Sequence, residues 1–264
     1  MPARDAHAKI NLRLCVLAQE RSGYHQIETL LCRVAFGDRL EIEPGAGLSL
    51  DIDGGDAGPL ENNLVLRAAR AFYDRVGLEP AASIRLAKRV PAGAGLGGGS
   101  SDAAVALHML NSMHHDPLGM DTLLQIGLTL GSDVPFFLSG SPFAIAWGRG
   151  ERLLTLNPPP ARPALLVVPE QRIATHDAYS ELAHRRTRSG AEPRATLLDP
   201  RVLSQWDGIE ALAMNDFEPI ADRVVPALPA LRTSLRAAGA SIAQLTGSGS
   251  AVFALFQDAS ARDT

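Results

Sequence analysis

Cysteine and long apolar runs are scarce in this chain of 264 residues. Its two cysteines, Cys15 and Cys32, lie in apolar sequence and form no CxxC pair. That arrangement argues against a disulfide framework or a cysteine-bound metal and favours buried thiols in a reducing compartment. No apolar run reaches the roughly 18 residues that a transmembrane helix requires. The first residues also lack the apolar core of a signal peptide, so the sequence predicts a cytoplasmic protein.

A strong excess of charge is also absent, because the formal net charge is only −4. This balance gives no general attraction for nucleic acid or for an acidic membrane surface, so the sequence predicts neither partner. A bound anion must then be held by local geometry, and the expected partner is a small molecule. The length fits one large domain or two modest ones, and the sequence carries no signal for an oligomeric state.

Lysine is nearly absent, although basic residues are common. Only Lys9 and Lys88 are lysines among 25 basic residues. A sequence that uses arginine almost everywhere keeps lysine where a compact, rotatable ammonium is needed. Lys9 lies in the first apolar strand-like segment, where a functional role is the favoured interpretation. Lys88 precedes a glycine-rich segment, and a solvated strand end is an equal alternative for it.

Glycine, in contrast, is concentrated at one place, with five glycines in the seven residues 93–99. Glycine lets backbone N–H groups approach an anion, and a following helix start supplies unpaired N–H donors and partial positive charge. A flexible linker is disfavoured, because an apolar strand and an alanine-rich helix bound the segment. The sequence therefore predicts a loop that binds phosphate.

Two other glycine motifs fit this segment less well. The spacing of Gly93, Gly95 and Gly98 matches G-x-G-x-x-G, but no acidic residue ends a clear second strand about 20 residues later, as a dinucleotide fold requires. A Walker A loop needs Gly-Lys-Ser/Thr, whereas Ser100 follows Gly99 directly.

Periodicity predicts a mixed α and β chain. In the N-terminal part we expect strands over 8–17, 27–36, 40–43, 48–52 and 83–90, with a turn over 19–23. The first strand is expected to pack one face and to present Lys9 and Asn11 on the other. A first helix is expected over 63–76, capped by Asn62 and ended by Gly77. A second is expected to begin at Ser100 or Ser101 as its cap and to run to about Met113, with Asp102 in its first turn. A third is expected over 121–130, ended by Gly131.

The C-terminal part begins at about residue 162. It is predicted to contain strands over 164–168, 242–245 and 251–256, helices over 174–183, 206–214, 219–225 and 228–238, and a mobile surface loop over 184–196.

Asp133 is the one acidic side chain in the turn between Gly131 and Phe136. A carboxylate in such a turn is either an Asx-type cap or a catalytic group. The local pattern alone favours the cap.

Three segments together resemble the motifs of the GHMP kinases, small-molecule kinases named from galactose, homoserine, mevalonate and phosphomevalonate. They are Ala8–Leu12, Pro91–Ala104 and Leu245–Gly249. More narrowly, Gly23–His25, Gly131–Phe136 and Asn215–Glu218 resemble the branch of the family whose acceptor substrate carries a cytidine diphosphate (CDP) group. The resemblance runs through nearly the whole chain in the family's order.

The resemblance implies an α+β fold with two-domain GHMP kinase architecture. The N-terminal ATP-binding domain, of the ribosomal S5 domain 2-like type, would cover residues 1–160, and the ferredoxin-like C-terminal domain residues 161–264. Family members continue through a further helix and strand, so the C-terminal domain is expected to be truncated at its end. The implied activity is transfer of a phosphoryl group from ATP, with Mg²⁺, to an alcohol of a small-molecule substrate bearing a CDP group.

The resemblance also implies roles for individual residues. It raises Asp133 from a cap to the catalytic base, with Lys9 beside it. The nucleotide would be bound by Asn63, Leu64 and Lys88 at the adenine, and by Pro91, Gly93, Ala94, Gly95, Leu96, Gly97, Gly98, Gly99, Ser100, Ser101, Asp102 and Ala103 around the phosphates. The acceptor would be bound by Asn11, Tyr24, His25, Asp133, Thr175, Tyr179, Thr246 and Gly247, with Tyr24 and His25 at the cytidine and Tyr179 stacked on cytosine. No metal site made by the protein alone is implied.

Two alternatives remain open at this point. The first is another GHMP kinase, acting on homoserine or a mevalonate derivative, against which Tyr24, His25 and Tyr179 argue. The second is a nucleotide-binding sensor without catalysis, which would have no need of Lys9 and Asp133. Phosphoryl transfer demands positioning and charge neutralisation, which a glycine loop, an ammonium and a carboxylate together supply.

Overall fold

The computed structural model describes residues 3–20, 24–55, 58–189 and 196–263. The strands are β1 (Arg4–Gln19), β2 (His25–Pro44), β3 (Ser49–Gly54), β4 (Ala82–Lys88), β5 (Phe143–Gly148), β6 (Arg152–Thr155), β7 (Ala164–Val167), β8 (Met214–Asn215), β9 (Ile242–Leu245) and β10 (Val252–Leu255). The helices are α1 (Leu64–Val76), α2 (Gly98–Met113), α3 (Met120–Leu130), α4 (Val134–Leu138), α5 (Thr175–Ser189), α6 (Trp206–Leu212), α7 (Glu218–Val224), α8 (Leu228–Ala237) and α9 (Ala259–Asp263), with a 3-10 turn at Leu60–Asn62.

The chain divides into two compact units. The first unit comprises Met1–Lys9, Arg33–Ala92 and Gly97–Ser141, and the second comprises Ile10–Cys32, Gly93–Leu96 and Pro142–Thr264. In the part of the chain that the structure describes, no helix has the length and apolarity needed to cross a membrane.

The first unit contains strands β3 and β4, parts of β1 and β2, and helices α1 to α4. The C-terminal part of β2 pairs with β4 in antiparallel register, from Arg39 opposite Ala87 to Pro44 opposite Ala82, and β3 pairs with β4 in parallel. Helix α2 contacts α1, α3 and α4. Phe72, Tyr73 and Phe136 are fully buried, and burying side chains of this size contributes a large part of the stability of a unit.

The predicted break between strands 27–36 and 40–43 is wrong, because β2 runs through Gly37 without interruption. A Cβ at Gly37 would overlap the Ala6 carbonyl oxygen and would lie 2.8 Å from the Cα of His7. Glycine at this position therefore allows the backbone of β1 to approach closely within β2, where the sequence predicted that a strand ends.

Two helix caps differ from expectation. Helix α1 is capped by Asn63, whose side chain accepts a hydrogen bond of 2.9 Å from the Val65 N–H, because the predicted cap Asn62 belongs to the preceding 3-10 turn. Gly77 ends this helix in a left-handed conformation, as predicted. Helix α2 begins at Gly98 with Gly97 as N-cap, so neither Ser100 nor Ser101 is the cap, and Asp102 falls beyond the first turn.

In the second unit, the N-terminal part of β2 pairs with β5, and β5 pairs with β6, both antiparallel. A separate antiparallel sheet has the order β7-β10-β9, and helices α5, α7 and α8 share an apolar core with it. Strands β5 and β6 were not predicted from the sequence. The helix predicted over 206–214 is wrong at its end, because α6 ends at Leu212 and Met214 instead pairs in parallel with Arg13 of β1.

The predicted mobile loop over 184–196 is wrong for residues 184–189, which continue α5. Its residues 190–195 lie outside the described residues, as do residues 21–23 of the predicted turn over 19–23. The helix predicted over 121–130 and ended by Gly131 is confirmed as α3 within one residue.

Candidate active site

In the first unit, Lys9 and Asp133 form an ion pair. The Lys9 Nζ lies 3.5 Å from the Asp133 Oδ2, and the two side chains are 4% and 33% exposed. Asp133 occupies the N-cap position of α4, but its side chain makes no capping hydrogen bond there. The Asp133 carboxylate therefore lies beside a buried ammonium and does not cap the helix.

Residues 8–16 of β1 are buried on both faces, whereas the alternating pattern predicted one polar, open face. Lys9 and Asn11 are each 3% exposed, and Ile10 and Leu12 are almost fully buried. A buried ammonium is tolerated only where an opposite charge or hydrogen-bond acceptors surround it. For Lys9, the Asp133 carboxylate supplies the opposite charge.

The start of α2 packs against Lys9 through Gly97. This glycine has a φ of 70° and would place a Cβ 3.1 Å from the Cγ of Lys9. Because the first N–H groups of any helix have no partner within the helix, residues 98–100 present donors for an anion at this end. The side chain of Leu64, predicted to border the adenine, lies close by, 3.6 Å from a Cβ built on Gly99.

Lys88 is not a solvated strand end. Its ammonium donates to Asp38 Oδ2 and, at 3.0 Å, to Asp102 Oδ2, and all three residues are buried. Burial raises the pKa of Asp102 to about 7; Lys88 acts to lower that pKa and Asp38 to raise it. Asp38 is a residue that sequence reasoning missed, since its partner Lys88 is 50 positions away in the chain.

In the second unit, the predicted residues Asn11, Thr246 and Gly247 form one network. The Asn11 Oδ1 accepts the Gly247 N–H at 2.9 Å and the Thr246 hydroxyl at 3.1 Å, while the Asn11 Nδ2 donates to the Thr29 hydroxyl at 2.8 Å. Asn11 thus ties the loop after β9 to strand β1. Thr29 was not predicted, because a threonine within a strand gives no signal by itself.

The glycine segment 93–96 contacts the same loop. A Cβ at Gly95 would overlap the Thr246 carbonyl oxygen and would lie 3.3 Å from the Cα of Gly247. The Ala251 N–H donates to the Ala94 carbonyl oxygen at 3.3 Å. Glycine is therefore required at position 95 both for its φ of 83° and for this close approach.

Gly95→Ala is expected to lower the free energy of unfolding by about 2 to 4 kcal/mol, because the new Cβ meets backbone atoms that cannot move aside. Gly93→Ala is the matched control, since Gly93 has a φ of 67° but open space around its Cβ position. This control is expected to lose only about 1 to 2 kcal/mol, the cost of the left-handed conformation. Urea unfolding of both variants checks the difference; equal losses would show that the contact with Thr246 is unimportant.

In the second unit, two of the residues predicted to bind the acceptor substrate lie together in an aromatic group. The rings of His25 and Tyr179 lie 5.0 Å apart with an interplanar angle of 30°, and Phe217 meets Tyr179 edge-on at 4.8 Å. Tyr24 is 59% exposed, and the guanidinium of Arg149 lies 4.1 Å from its ring centroid. Arg149, also bonded to Glu20, was not predicted, because nothing in the local sequence links it to Tyr24.

Two further residues that were predicted to bind nucleotide or acceptor, Asn63 and Thr175, have hydrogen-bond partners within the protein. The Asn63 carboxamide oxygen caps α1, as described above. The Thr175 hydroxyl lies 3.0 Å from the Ser248 hydroxyl, in the small-residue loop after β9. In the described part of the chain, no group of three or more His, Cys, Asp or Glu side chains has the arrangement of a metal site.

The chain matches known proteins along nearly its whole length. Residues 63–141 match the GHMP kinases N terminal domain, and residues 199–264 match the GHMP kinases C terminal domain. A protein of Salinibacter ruber named 4-diphosphocytidyl-2-C-methyl-D-erythritol kinase is 41% identical over 264 residues, which cover 98% of this chain and 91% of that protein. The chain belongs to the GHMP kinase family.

Solved structures of GHMP kinases extend the comparison to the fold. The crystal structure of a 4-(cytidine 5'-diphospho)-2C-methyl-D-erythritol kinase is 35% identical, with a TM-score of 0.80 over 98% of this chain and 92% of that one. The crystal structure of L. major mevalonate kinase is 12% identical, with a TM-score of 0.67 over 100% of this chain and 89% of that one, and shares the fold alone. The predicted α+β fold with GHMP kinase architecture is confirmed.

Proposed function

We propose that the protein transfers the γ-phosphoryl group of ATP to the 2-hydroxyl of 4-diphosphocytidyl-2-C-methyl-D-erythritol, in the non-mevalonate route to isoprenoid precursors. The observation that carries this proposal is the likeness, over nearly the full length, to proteins of that name. Membership of a kinase family with many acceptors would alone leave the acceptor open, since one fold serves many substrates.

Lys9 and Asp133 would carry the chemistry. Asp133 would accept the proton of the acceptor hydroxyl while the hydroxyl oxygen attacks the γ-phosphorus, the bond from the γ-phosphorus to the β,γ-bridging oxygen breaks and ADP leaves. Lys9 would offset the negative charge on the transferring group. Their separation of 3.5 Å and the burial of Lys9 support this division of roles. The ion pair also fixes the carboxylate in one orientation, which is what a general base needs for an in-line transfer.

The glycine-rich loop and the first turn of α2 would hold the phosphates of ATP through backbone N–H groups. Asn63, Leu64 and Lys88 are proposed to border the adenine, with the Lys88 alkyl chain rather than its ammonium turned to the base. Mg²⁺ would be held chiefly by the phosphate oxygens of the nucleotide, a mode that requires few protein ligands. When bound, it would neutralise charge on those oxygens.

The aromatic group of Tyr24, His25 and Tyr179 would recognise the cytidine end of the acceptor. Stacking on aromatic rings favours a flat base, and the contacts of Tyr179 with His25 and Phe217 hold its ring in place. Thr175, Thr246, Gly247 and Asn11 would contribute polar contacts or fix the loops that do. This arrangement supports a nucleotide-bearing acceptor over homoserine or mevalonate.

A coupled assay of ADP release with three acceptors tests the proposal. We expect turnover with 4-diphosphocytidyl-2-C-methyl-D-erythritol and at least about a hundredfold lower kcat/KM with homoserine or mevalonate, because each lacks the base that the aromatic group would bind. Preference for homoserine or mevalonate would favour the alternative of a GHMP kinase that acts on one of these small acceptors. Tight ATP binding with no turnover on any acceptor would favour a nucleotide sensor.

A further inference from the structure

The cluster of Lys88, Asp38 and Asp102 buries more negative than positive charge. Lys88 is 7% exposed, Asp38 is 1% exposed and Asp102 is 2% exposed. One ammonium thus faces two carboxylates, and a buried excess charge is costly. The cluster lies directly against the start of α2, since a Cβ built on Gly98 would lie 3.0 Å from the Lys88 Nζ.

The two carboxylates are not equivalent. Asp38 is fully engaged: its Oδ1 accepts the Val90 N–H at 2.7 Å and also the Arg89 N–H, and its Oδ2 accepts from Lys88. Asp102 accepts from Lys88 through Oδ2 alone. Its Oδ1 is buried and has no hydrogen-bond partner among the described residues. A proton on that oxygen would break no existing hydrogen bond, whereas a proton on Asp38 would displace a donor.

The charges that act on Asp102 come from two strands. Lys88 of β4 and Asp38 of β2 both influence its pKa, which burial raises to about 7. Helix α4, which also packs on α2, has no charged residue, and His108 of α2 itself contacts the Leu138 carbonyl oxygen. The charged side chains of α1 and α3 are exposed: Arg67, Arg70, Asp74, Arg75 and Asp121.

We propose that Asp102 is a positioning residue that takes up a proton at Oδ1 when a nucleotide binds at the glycine-rich loop. This inference rests on the proposed function, because it requires a polyphosphate at the start of α2. Such a ligand brings further negative charge to a place where the cluster already has an excess. The proton comes from solvent and neutralises Asp102, while Lys88 stays paired with Asp38 and keeps the loop in position.

The direction in which nucleotide affinity changes with pH follows from the coupling between nucleotide binding and protonation of Asp102. Nucleotide binding favours the protonated form of Asp102, so affinity is greatest when that form is already populated and falls as rising pH removes the proton. We expect the dissociation constant for ADP with magnesium to rise by on the order of fivefold between pH 6.5 and pH 8.5. A role limited to structural packing would give no such dependence.

Isothermal titration calorimetry of the full chain with ADP and magnesium measures the proton directly. Titrations at pH 7.5 in phosphate and in Tris, which differ in ionisation enthalpy, are expected to show net uptake of about half a proton per nucleotide bound. The ADP phosphate, with a pKa near 6, is already mostly ionised at this pH and cannot supply an uptake. Binding without uptake would overturn the inference, whereas no binding would overturn the proposed nucleotide site with it.

Asp102→Asn is the decisive variant, because asparagine has the shape of the protonated aspartate but cannot titrate. It is expected to bind ADP with no proton uptake and with an affinity that no longer changes over this pH range. Asp121→Asn, at an exposed carboxylate of the same unit, is the matched control and should behave as the wild type. Wild-type uptake in Asp102→Asn would contradict the inference; if that variant does not fold, the wild-type titrations in two buffers decide alone.

Discussion

Asp133→Asn is expected to lower kcat by roughly 10²–10⁴-fold, the usual contribution of a positioned general base. Asparagine keeps the size of the side chain but cannot accept the hydroxyl proton, and it removes the partner that lies 3.5 Å from the Lys9 ammonium. The affinity for ATP should change little, because the proposed phosphate contacts come from the glycine-rich loop and the start of α2. Steady-state kinetics with the CDP-bearing acceptor, together with calorimetric titration of ADP, measure the two quantities separately.

Asp74→Asn is a suitable control for this variant. Asp74 is an exposed carboxylate on α1, outside the proposed site, so its replacement changes the net charge in the same way. Wild-type turnover in Asp133→Asn would remove Asp133 from the mechanism. A loss of ADP affinity as large as the loss of kcat would instead indicate that Asp133 organises the nucleotide site.

Lys9→Arg is expected to lower kcat/KM by roughly a hundredfold or more, although the charge is retained. The Lys9 side chain is 4% exposed and packs beneath Gly97, with its Nζ facing Asp133. A planar guanidinium is wider than an ammonium and presents its donors in a fixed fork, so it cannot place one charge at the same point without displacing the start of α2.

The matched control for Lys9→Arg is Arg152→Lys, the reverse exchange at a side chain that is 69% exposed. This control should leave the kinetics and the thermal stability unchanged. If Lys9→Arg folds and retains near-normal activity, the geometry of the ammonium is not required, and the scarcity of lysine in the chain has no mechanistic meaning at this position.

Parts of the candidate site could be predicted from local signals and from the family resemblance. The concentration of glycine in residues 93–99 by itself indicates a backbone that adopts unusual conformations. The resemblance to a kinase family connects this segment with Lys9 and Asp133, which lie far from it in the sequence. The structure places Lys9 against Asp133 and His25 against Tyr179. The roles of these residues remain predictions until they are tested.

Other features could not be predicted, because they depend on long-range contacts. In the sequence, Asp38 is a polar residue that interrupts an apolar strand, and only the fold brings it into contact with Lys88. Serine is a preferred helix cap, but α2 begins at Gly98, before Ser100 and Ser101, because Gly97 in the left-handed conformation is its N-cap. Strand β2 continues through Gly37 because β1 approaches it there, which a local breaker rule does not represent.

The proposed transfer is tested most directly by phosphorus NMR of a reaction containing the protein, magnesium, ATP and 4-diphosphocytidyl-2-C-methyl-D-erythritol. The proposed transfer requires loss of the ATP γ-phosphorus signal, formation of ADP and one new phosphomonoester signal from a phosphate on the 2-hydroxyl of the acceptor. Release of inorganic phosphate without that phosphomonoester, or no consumption of ATP by folded protein, would contradict it.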